Sequence, residues 1–269
     1  MRIVDSFTTT PFTGNPAAVV MLDATPPDAW LAAVARETNM TDTGFVIRDA
    51  LPDADFRLRW FTPAMEVDLC GHATLAAAHC LFEDGASTPI RFASRSGVLT
   101  VARRPGGSLA MDFPAQPAVE HDSRAATAAA LGCPVAWTGD TANGFFRLAV
   151  LADEGAVRDL RPEIAAISRL EPMALIVTAA AAPASAHDFV SRLFAPRAGV
   201  VEDPVTGSSH TVLAPYWCGK LGRSSLVGLQ VSGRPGAVGV ELDGERVVLS
   251  GRAVTIFDGV LRSAAHPAG

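Results

Sequence analysis

The sequence has little of what secreted, membrane-bound or nucleic-acid-binding proteins need. Its four cysteines, Cys70, Cys80, Cys133 and Cys218, have irregular spacings and form no CxxC pair, so a disulfide framework is not indicated. No apolar run approaches the roughly 20 residues that a membrane-spanning helix requires. Asp5 stands where a signal peptide would have its apolar core. The net charge is −6 without a basic run, which makes the chain a poor candidate for binding a phosphate backbone. We therefore expect a cytoplasmic protein with no nucleic-acid or membrane partner.

Common cofactor and nucleophile motifs are also missing. No GxGxxG segment follows a predicted strand, and no GxxxxGK[ST] segment occurs, so nucleotide cofactors are not supported. The GxSxG motif of many serine hydrolases is absent as well. We therefore expect no cofactor.

What is present suits a globular protein of one large or two modest domains. The chain has 269 residues, of which 49% are hydrophobic and 19% charged, enough to bury a core. Apolar spacing predicts helices over residues 27–38 and 72–82, and residues 55–61 alternate as a half-buried strand does. The polar, Pro-containing segment 114–124 is the best candidate linker, and the Ala-Pro-rich run 178–186 is interpreted as a loop.

A short internal repeat favours two similar lobes. Residues 61–63 lead through an acidic loop to Cys-Gly-His-Ala-Thr-Leu at 70–75, and residues 194–196 lead through another to Thr-Gly-Ser-Ser-His-Thr at 206–211. In both copies a strand ends at x-Pro and a glycine opens a helix. The match is short enough that duplication and chance similarity both stay open.

The repeated helix starts carry candidate ligand-binding residues. Helix N-termini present unpaired N–H groups to anions, so Gly71 and Gly207 are candidates for binding a carboxylate, although each could simply form a turn. His72 is a candidate donor or proton carrier, or a surface histidine that caps the helix. Asp203, before Pro204 in the acidic loop, is either a placed acid or a helix-capping residue.

Asp42 and Cys70 suggest chemistry with proton transfer. Asp42 lies between a predicted helix and an apolar strand, where a carboxylate can act as an acid or base, or form a turn. Cys70 suggests racemisation by two thiols, one removing an α-proton and the other returning it. The repeat has Thr206 at the matching position, and a hydroxyl is far too weak an acid to replace a thiol.

A metal site is not expected. Cys70, His72, His79 and Cys80 are close in sequence, but they lack the usual zinc-binding spacing, and helical geometry turns Cys80 away from His72.

Four segments together resemble a known family. They are residues 14–19 (Gly-Asn-Pro-Ala-Ala-Val), 39–46, 68–76 (Asp-Leu-Cys-Gly-His-Ala-Thr-Leu-Ala) and 201–208. In this order, over nearly the whole chain, they resemble the PhzF-like isomerases of phenazine biosynthesis. The resemblance implies an α+β, diaminopimelate-epimerase-like fold of two pseudo-symmetric lobes, each a barrel-like, mostly antiparallel sheet around a central helix. The N-terminal lobe would span 1–116, with the last strand, 252–261, as a candidate addition, and the C-terminal lobe 117–251.

The resemblance also implies a reaction. The phenazine enzyme isomerises trans-2,3-dihydro-3-hydroxyanthranilate without a cofactor by moving a proton. By resemblance, His72 and Asp203 match family site residues, and Ser208 matches a serine beside the substrate. Asp42 stands where the family has its acid/base glutamate, and Thr41 replaces the neighbouring serine. The shorter aspartate indicates a differently placed substrate or a lost activity.

The leading prediction is a PhzF-like isomerase of a small carboxylate that works by general acid/base catalysis. Its predicted site comprises Asp42, His72 and Asp203 as catalytic residues and Gly71, Gly207 and Ser208 as substrate-binding residues. A racemase or epimerase using Cys70, and a non-catalytic metabolite-binding protein, are the alternatives. Association into a homodimer stays open.

Overall fold

The computed structural model describes residues 1–49 and 51–262. Two compact units make up the chain. Unit 1 comprises Met1–Asp112 and Ser250–Gly269, and unit 2 is the continuous segment Phe113–Leu249. Within the described residues, no helix combines the length and apolar character needed to cross a membrane.

Short strands dominate both units, and the few helices separate them. The strands are β1 (Arg2–Ser6), β2 (Asn15–Leu22), β3 (Asp42–Ile47), β4 (Phe56–Phe61), β5 (Glu66–Val67), β6 (Ile90–Ser94), β7 (Gly97–Arg103), β8 (Leu109–Pro114), β9 (Ala118–Glu120), β10 (Trp137–Thr141), β11 (Phe146–Val150), β12 (Ala174–Ala180), β13 (Phe189–Ala195), β14 (Val200–Asp203), β15 (Ser225–Gln230), β16 (Gly236–Asp243), β17 (Arg246–Gly251) and β18 (Ala253–Asp258). The helices are α1 (Asp28–Thr38), α2 (Gly71–Glu83), α3 (Arg124–Leu131), α4 (Glu154–Arg158), α5 (Ile164–Ile167) and α6 (Gly207–Leu221), with single 3₁₀ turns at Pro105–Gly107 and Pro196–Ala198.

Unit 1 is a mostly antiparallel sheet around α2. Strands β18, β1 and β2 are antiparallel neighbours, and so are β3 and β4, and β6, β7 and β8. The parallel pairs are β2 with β3 and β4 with β6. Each parallel pair needs a crossover, which α1 and α2 provide. Helix α2 contacts β1, β2, β3 and β18 and is buried on nearly every face, which its alanine-rich sequence permits.

Unit 2 repeats this strand order. Strands β9, β10 and β11 are antiparallel, β11 and β12 are parallel, β12 and β13 are antiparallel, and β13 and β15 are parallel. The short β14 pairs with β13 as β5 pairs with β4, and β15 and β16 are antiparallel. Helix α6 provides the second crossover and contacts β11, β15 and β16. The predicted α+β fold is confirmed: the two units repeat the same arrangement of strands around a central helix, and their strands belong to one 18-stranded sheet.

The duplication extends to one pair of side chains. In unit 1, Arg59 on β4 donates two hydrogen bonds to the carboxylate of Glu66, at 2.7 and 2.8 Å. In unit 2, Arg192 on β13 donates two to Glu202, at 2.7 and 2.9 Å. Each guanidinium also lies over the phenylalanine ring two residues further along its strand, 5.1 and 4.9 Å from the ring centre. The same charge pair therefore joins corresponding strands just before each central helix.

The two predicted helices agree with α1 and α2 to within a residue at each end. The candidate linker 114–124 begins beside the boundary between the two units, at Asp112 and Phe113, and it contains the short strand β9, which pairs with β10. One irregular segment was predicted wrongly. Residues 178–180 of the predicted loop 178–186 belong to β12, where backbone pairing with β13 outweighs the weak strand preference of alanine.

Candidate active site

In unit 1 the fold brings together a carboxylate, a thiol and an imidazole. Asp42 is the first residue of β3, Cys70 caps the start of α2, and His72 is the second residue of that helix. All three are buried, with 7%, 7% and 6% of their surface exposed. Nε2 of His72 lies 3.6 Å from Oδ2 of Asp42, and Nδ1 of His72 lies 3.4 Å from Sγ of Cys70.

Hydrogen bonds to the backbone fix the first turn of α2. The Ser6 hydroxyl on β1 donates to the carbonyl of His72 at 2.8 Å, and the Thr74 hydroxyl donates to the carbonyl of Cys70 at 2.6 Å. Strand β3 passes close beside this turn, because a Cβ added at Gly44 would lie 3.6 Å from the carbonyl oxygen of Ala73. The backbone that carries the imidazole and the thiol is therefore fixed by these two hydrogen bonds and by packing against β3.

This arrangement can move protons. Nε2 of His72 and Oδ2 of Asp42 are within ion-pair distance, and the two groups carry opposite charges only when the imidazole is protonated. The thiol of Cys70 is within hydrogen-bonding distance of the same ring. One donor atom from each residue lies within 4.8 Å of the others, and all three residue types are also ligands for metal ions.

In unit 2, Asp203 and the start of α6 form a second polar cluster. Asp203 ends β14 and is 9% exposed. The Thr206 hydroxyl donates to its carboxylate. Thr206 immediately precedes Gly207, the first residue of α6, so the carboxylate is tied to the helix start.

Gln230 connects this cluster to the sheet by hydrogen bonds. It ends β15, is fully buried, and its Nε2 donates to the carbonyl of Asp203 at 2.7 Å and to the Thr206 hydroxyl at 3.3 Å. Its Oε1 accepts from the N–H of Thr206 at 3.0 Å. Sequence reasoning missed Gln230, because a lone glutamine at the end of an apolar strand carries no local signal of its partners.

His210 occupies the position in α6 that Thr74 occupies in α2. Its Nδ1 lies 2.8 Å from the carbonyl of Thr206, just as the Thr74 hydroxyl binds the carbonyl of Cys70. Burial away from water lowers the pKa of His210 to about 4. A neutral imidazole therefore donates to the start of α6, and His210 has a structural place in the fold.

Comparisons with known proteins place the chain in one family. A model of the phenazine biosynthesis-like proteins matches residues 4–259. An uncharacterized isomerase of Pseudomonas aeruginosa is 46% identical over 96% of this chain and 96% of its own. The chain belongs to the phenazine biosynthesis-like protein family.

Solved structures agree with this family assignment. A PhzF-family phenazine biosynthesis protein of Enterococcus faecalis superposes with a TM-score of 0.88 at 36% identity, over 95% of this chain and 96% of its own. A hydroxyproline epimerase of Agrobacterium vitis superposes with a TM-score of 0.57 at 12% identity, over 95% of this chain and 90% of its own, which is a likeness of fold alone. The predictions of a phenazine biosynthesis-like family and of an isomerase are confirmed at that level.

Within this family fold, the predicted residues fall into two groups. Asp42, Gly71 and His72 lie together in unit 1 with Cys70, and Asp203, Gly207 and Ser208 lie at the start of α6 in unit 2. Their roles stay predictions.

His79 and Cys80, which lie close in sequence to Cys70 and His72, are not brought into this cluster. Nε2 of His79 lies 3.1 Å from the Thr255 hydroxyl. Burial raises the pKa of the Cys80 thiol to about 12.

Proposed function

We propose that the protein is a cytoplasmic, cofactor-independent isomerase that moves a proton within a small carboxylate substrate by general acid/base catalysis. The observation that carries the proposal is the buried pair of Asp42 and His72, whose side chains lie 3.6 Å apart. Membership of a family whose relatives are named isomerases supports the reaction class.

Asp42 is proposed to act as the acid/base that transfers the proton between carbon atoms of the substrate. Its carboxylate takes a proton from one carbon of the substrate and returns it to another. His72 supports this transfer in two ways: it stabilises the ionised carboxylate when protonated, and it can carry a proton to a polar atom of the substrate. Burial of both groups keeps bulk water from competing for the proton. General acid/base catalysis of this kind contributes about 10²- to 10⁴-fold in rate.

The remaining predicted residues are proposed to hold the substrate. Backbone N–H groups at Gly71 and Gly207 open the two central helices, where unpaired donors and the helix dipole favour an anionic group. The Ser208 hydroxyl is a further donor. Asp203 is proposed to orient the substrate or pass a proton, with its carboxylate held in place by Thr206.

A racemase or epimerase that uses Cys70 is the second candidate. It is favoured by the 3.4 Å separation between Sγ of Cys70 and Nδ1 of His72, because an imidazole can accept the thiol proton. The matching position in unit 2 weighs against a symmetric reaction with two thiols, because Thr206 stands there and donates its hydroxyl to Asp203.

Proton exchange in deuterated water tests these proposals. NMR would follow exchange at carbon in dihydro-hydroxyanthranilate and in a panel of cyclic and amino carboxylates. We expect Asp42→Asn to lower exchange at least about 100-fold, because the amide keeps the shape of the carboxylate but cannot take the proton. Asp23→Asn is the matched control, since the Asp23 side chain is 93% exposed.

Two further variants separate the alternatives. Exchange that persists in Asp42→Asn but is lost in Cys70→Ser would reject the leading proposal and favour the racemase. Exchange that is lost in Asp42→Asn and kept in Cys70→Ser would support the isomerase. If wild type exchanges no compound but Asp42→Glu does, the chain is a binding protein whose catalytic site has decayed.

A further inference from the structure

We propose that Asp42, Cys70 and His72 form a site for one soft divalent cation of the Zn²⁺ class, and that this ion blocks the proton-transfer groups when it binds. The binding part of this inference does not depend on the proposed function, because it is measured without a substrate. The cation is proposed as an inhibitor of the site, and the isomerase reaction does not require it.

The donor set suits zinc. Thiolate sulfur, imidazole nitrogen and carboxylate oxygen are the three ligand types that zinc uses in proteins, and thiolate selects softer ions over Mg²⁺ or Ca²⁺. Three protein ligands leave the fourth tetrahedral position for water or for a substrate atom, as in catalytic zinc sites. Cys70, His72 and Asp42 supply one donor of each type.

The separations between the donors also suit a shared ion. In a tetrahedron with ordinary zinc–ligand bonds, neighbouring donors are about 3.3–3.6 Å apart. Nε2 of His72 lies 3.6 Å from Oδ2 of Asp42 and 3.9 Å from Sγ of Cys70. The first distance exceeds the 2.7–3.2 Å range of a direct N–H···O hydrogen bond. Nε2 of His72 can therefore share an ion with either neighbour after a small shift, and the Asp42 and Cys70 donors, which lie within 4.8 Å of each other, move together by up to about an ångström to share it too.

The fold prepares the site before any ion arrives. The Ser6 and Thr74 hydroxyls hold the carbonyls of His72 and Cys70, so two of the three ligands stand on a fixed helical turn. Burial limits competition from water for the donors. The duplicated start of α6 has Thr206 and Ser208 at the positions of Cys70 and His72. Because hydroxyls are poor zinc ligands, we expect one ion per chain.

Binding would change protonation without any redox step. The Cys70 thiol loses its proton to solvent and a sulfur lone pair forms the bond to the cation. His72 binds through the Nε2 lone pair of its neutral ring, so a protonated ring also releases one proton to solvent, and Asp42 binds through a carboxylate lone pair. With those lone pairs on the ion, the ligating oxygen of Asp42 and Nε2 of His72 can no longer take up the transferred proton.

Cobalt and zinc titrations of the full-length chain test the proposal. With a phosphine reductant present, Co²⁺ should give a thiolate-to-cobalt charge-transfer band that saturates at one ion per chain, and Zn²⁺ should displace it. We expect a zinc dissociation constant of about 1 µM or lower. Cys70→Ser should abolish the band and weaken zinc binding at least about 100-fold.

Matched variants keep the test decisive. Cys133→Ser changes a partly buried cysteine in unit 2 and should leave the band and the affinity unchanged. His72→Gln and Asp42→Asn should each weaken zinc binding at least about 10-fold. Circular dichroism and thermal unfolding in EDTA identify any variant that fails to fold. A band that survives in Cys70→Ser, or that disappears equally in Cys133→Ser, would overturn the proposal. An absence of saturable binding below about 100 µM zinc would overturn it too, whether or not an isomerase activity is found.

Discussion

At the level of single residues, the two buried histidines beside the helix starts have opposite surroundings. His72 lies against a carboxylate and a thiol, so groups that exchange protons surround it. His210 lies against the Thr206 carbonyl and the ring of Phe189, which is 6.0 Å away between ring centres. A carbonyl and a benzene ring cannot take up a proton. These surroundings support the proposed role of His72 in proton transfer and give His210 a structural place at the start of α6.

The surroundings of His210 predict a pH dependence of stability. Its pKa in the folded chain, about 4, lies below the value near 6.5 of an exposed histidine. Between about pH 4 and pH 6.5, His210 is protonated in the unfolded chain but neutral in the folded chain. This contribution to stability is complete above about pH 6.5 and is lost as the pH falls toward 4, by about 2–3 kcal/mol.

Urea unfolding of wild type and His210→Gln at pH 7, 5.5 and 4.5 measures this effect. Glutamine can still donate to the Thr206 carbonyl, and carboxylates that titrate in both proteins cancel in the difference. We expect the free energy of unfolding to fall more steeply with acid in the wild type. Equal slopes in the two proteins would show that His210 is protonated in the folded state.

Sequence reasoning pointed to candidates that lie at the ends of elements. Gly71 and His72 open a predicted helix, and Asp42 lies between a predicted helix and a strand, but the catalytic predictions for Asp42 and His72 came from the resemblance to the family. Gln230 could not be found in this way. Its role depends on bringing the end of β15 beside Asp203, 27 residues away in sequence, which only the parallel pairing of β13 and β15 achieves.

At the level of elements, the Arg–Glu pairs join the strands that lead into the central helices. Arg59 links β4 to β5 before α2, and Arg192 links β13 to β14 before α6. Arg192 also donates to the carbonyl of Leu160, just after α4, at 2.7 Å. Its side chain is only 10% exposed, so the guanidinium depends on these partners in place of water.

Breaking one pair should therefore destabilise the fold measurably. Glu202→Gln leaves Arg192 buried with a neutral and weaker acceptor, and we expect a loss of about 1–3 kcal/mol in the free energy of unfolding. Arg158→Gln is the control, since Arg158 is 44% exposed in its pair with Glu154 on α4, and it should cost less than about 0.5 kcal/mol. Urea unfolding measures both variants. Equal small losses would show that the buried pair adds no more than a surface pair.

The elements that sequence reasoning placed correctly are those with strong periodicity or a glycine start. Helices α1 and α2 have apolar residues at helical spacing, and β4 alternates along its length. Strand β9 was missed because it has three residues, two of them exposed, so its pairing with β10 leaves no pattern in the sequence.

At the level of the whole molecule, unit 1 contains strands from both ends of the sequence. Strand β18 pairs antiparallel with β1, with Arg2 opposite Asp258. The N-terminal amine of Met1 donates to the carbonyl of Gly259 at 2.8 Å, and the Gly259 N–H donates back to the carbonyl of Met1 at 3.0 Å. Since β18 runs toward the start of β1, the two strands already have the geometry of a β-hairpin that lacks its loop.

A circular permutant should therefore fold. We would join Leu261, which packs against a buried cluster of unit 1, to Met1 by a short Gly/Ser loop. The chain would be opened between Asn143 and Gly144, an exposed turn between β10 and β11. The new loop closes a pair that is already hydrogen-bonded, and the new ends disturb no buried strand, so we expect a free energy of unfolding within about 2 kcal/mol of wild type. The control carries the same closure but opens between Val19 and Val20, inside the buried strand β2, and should not unfold cooperatively. If the first permutant is as unstable as the control, the pairing of β1 with β18 does not hold these strands together in solution, and β1 would have to be stabilised by β2 and α2.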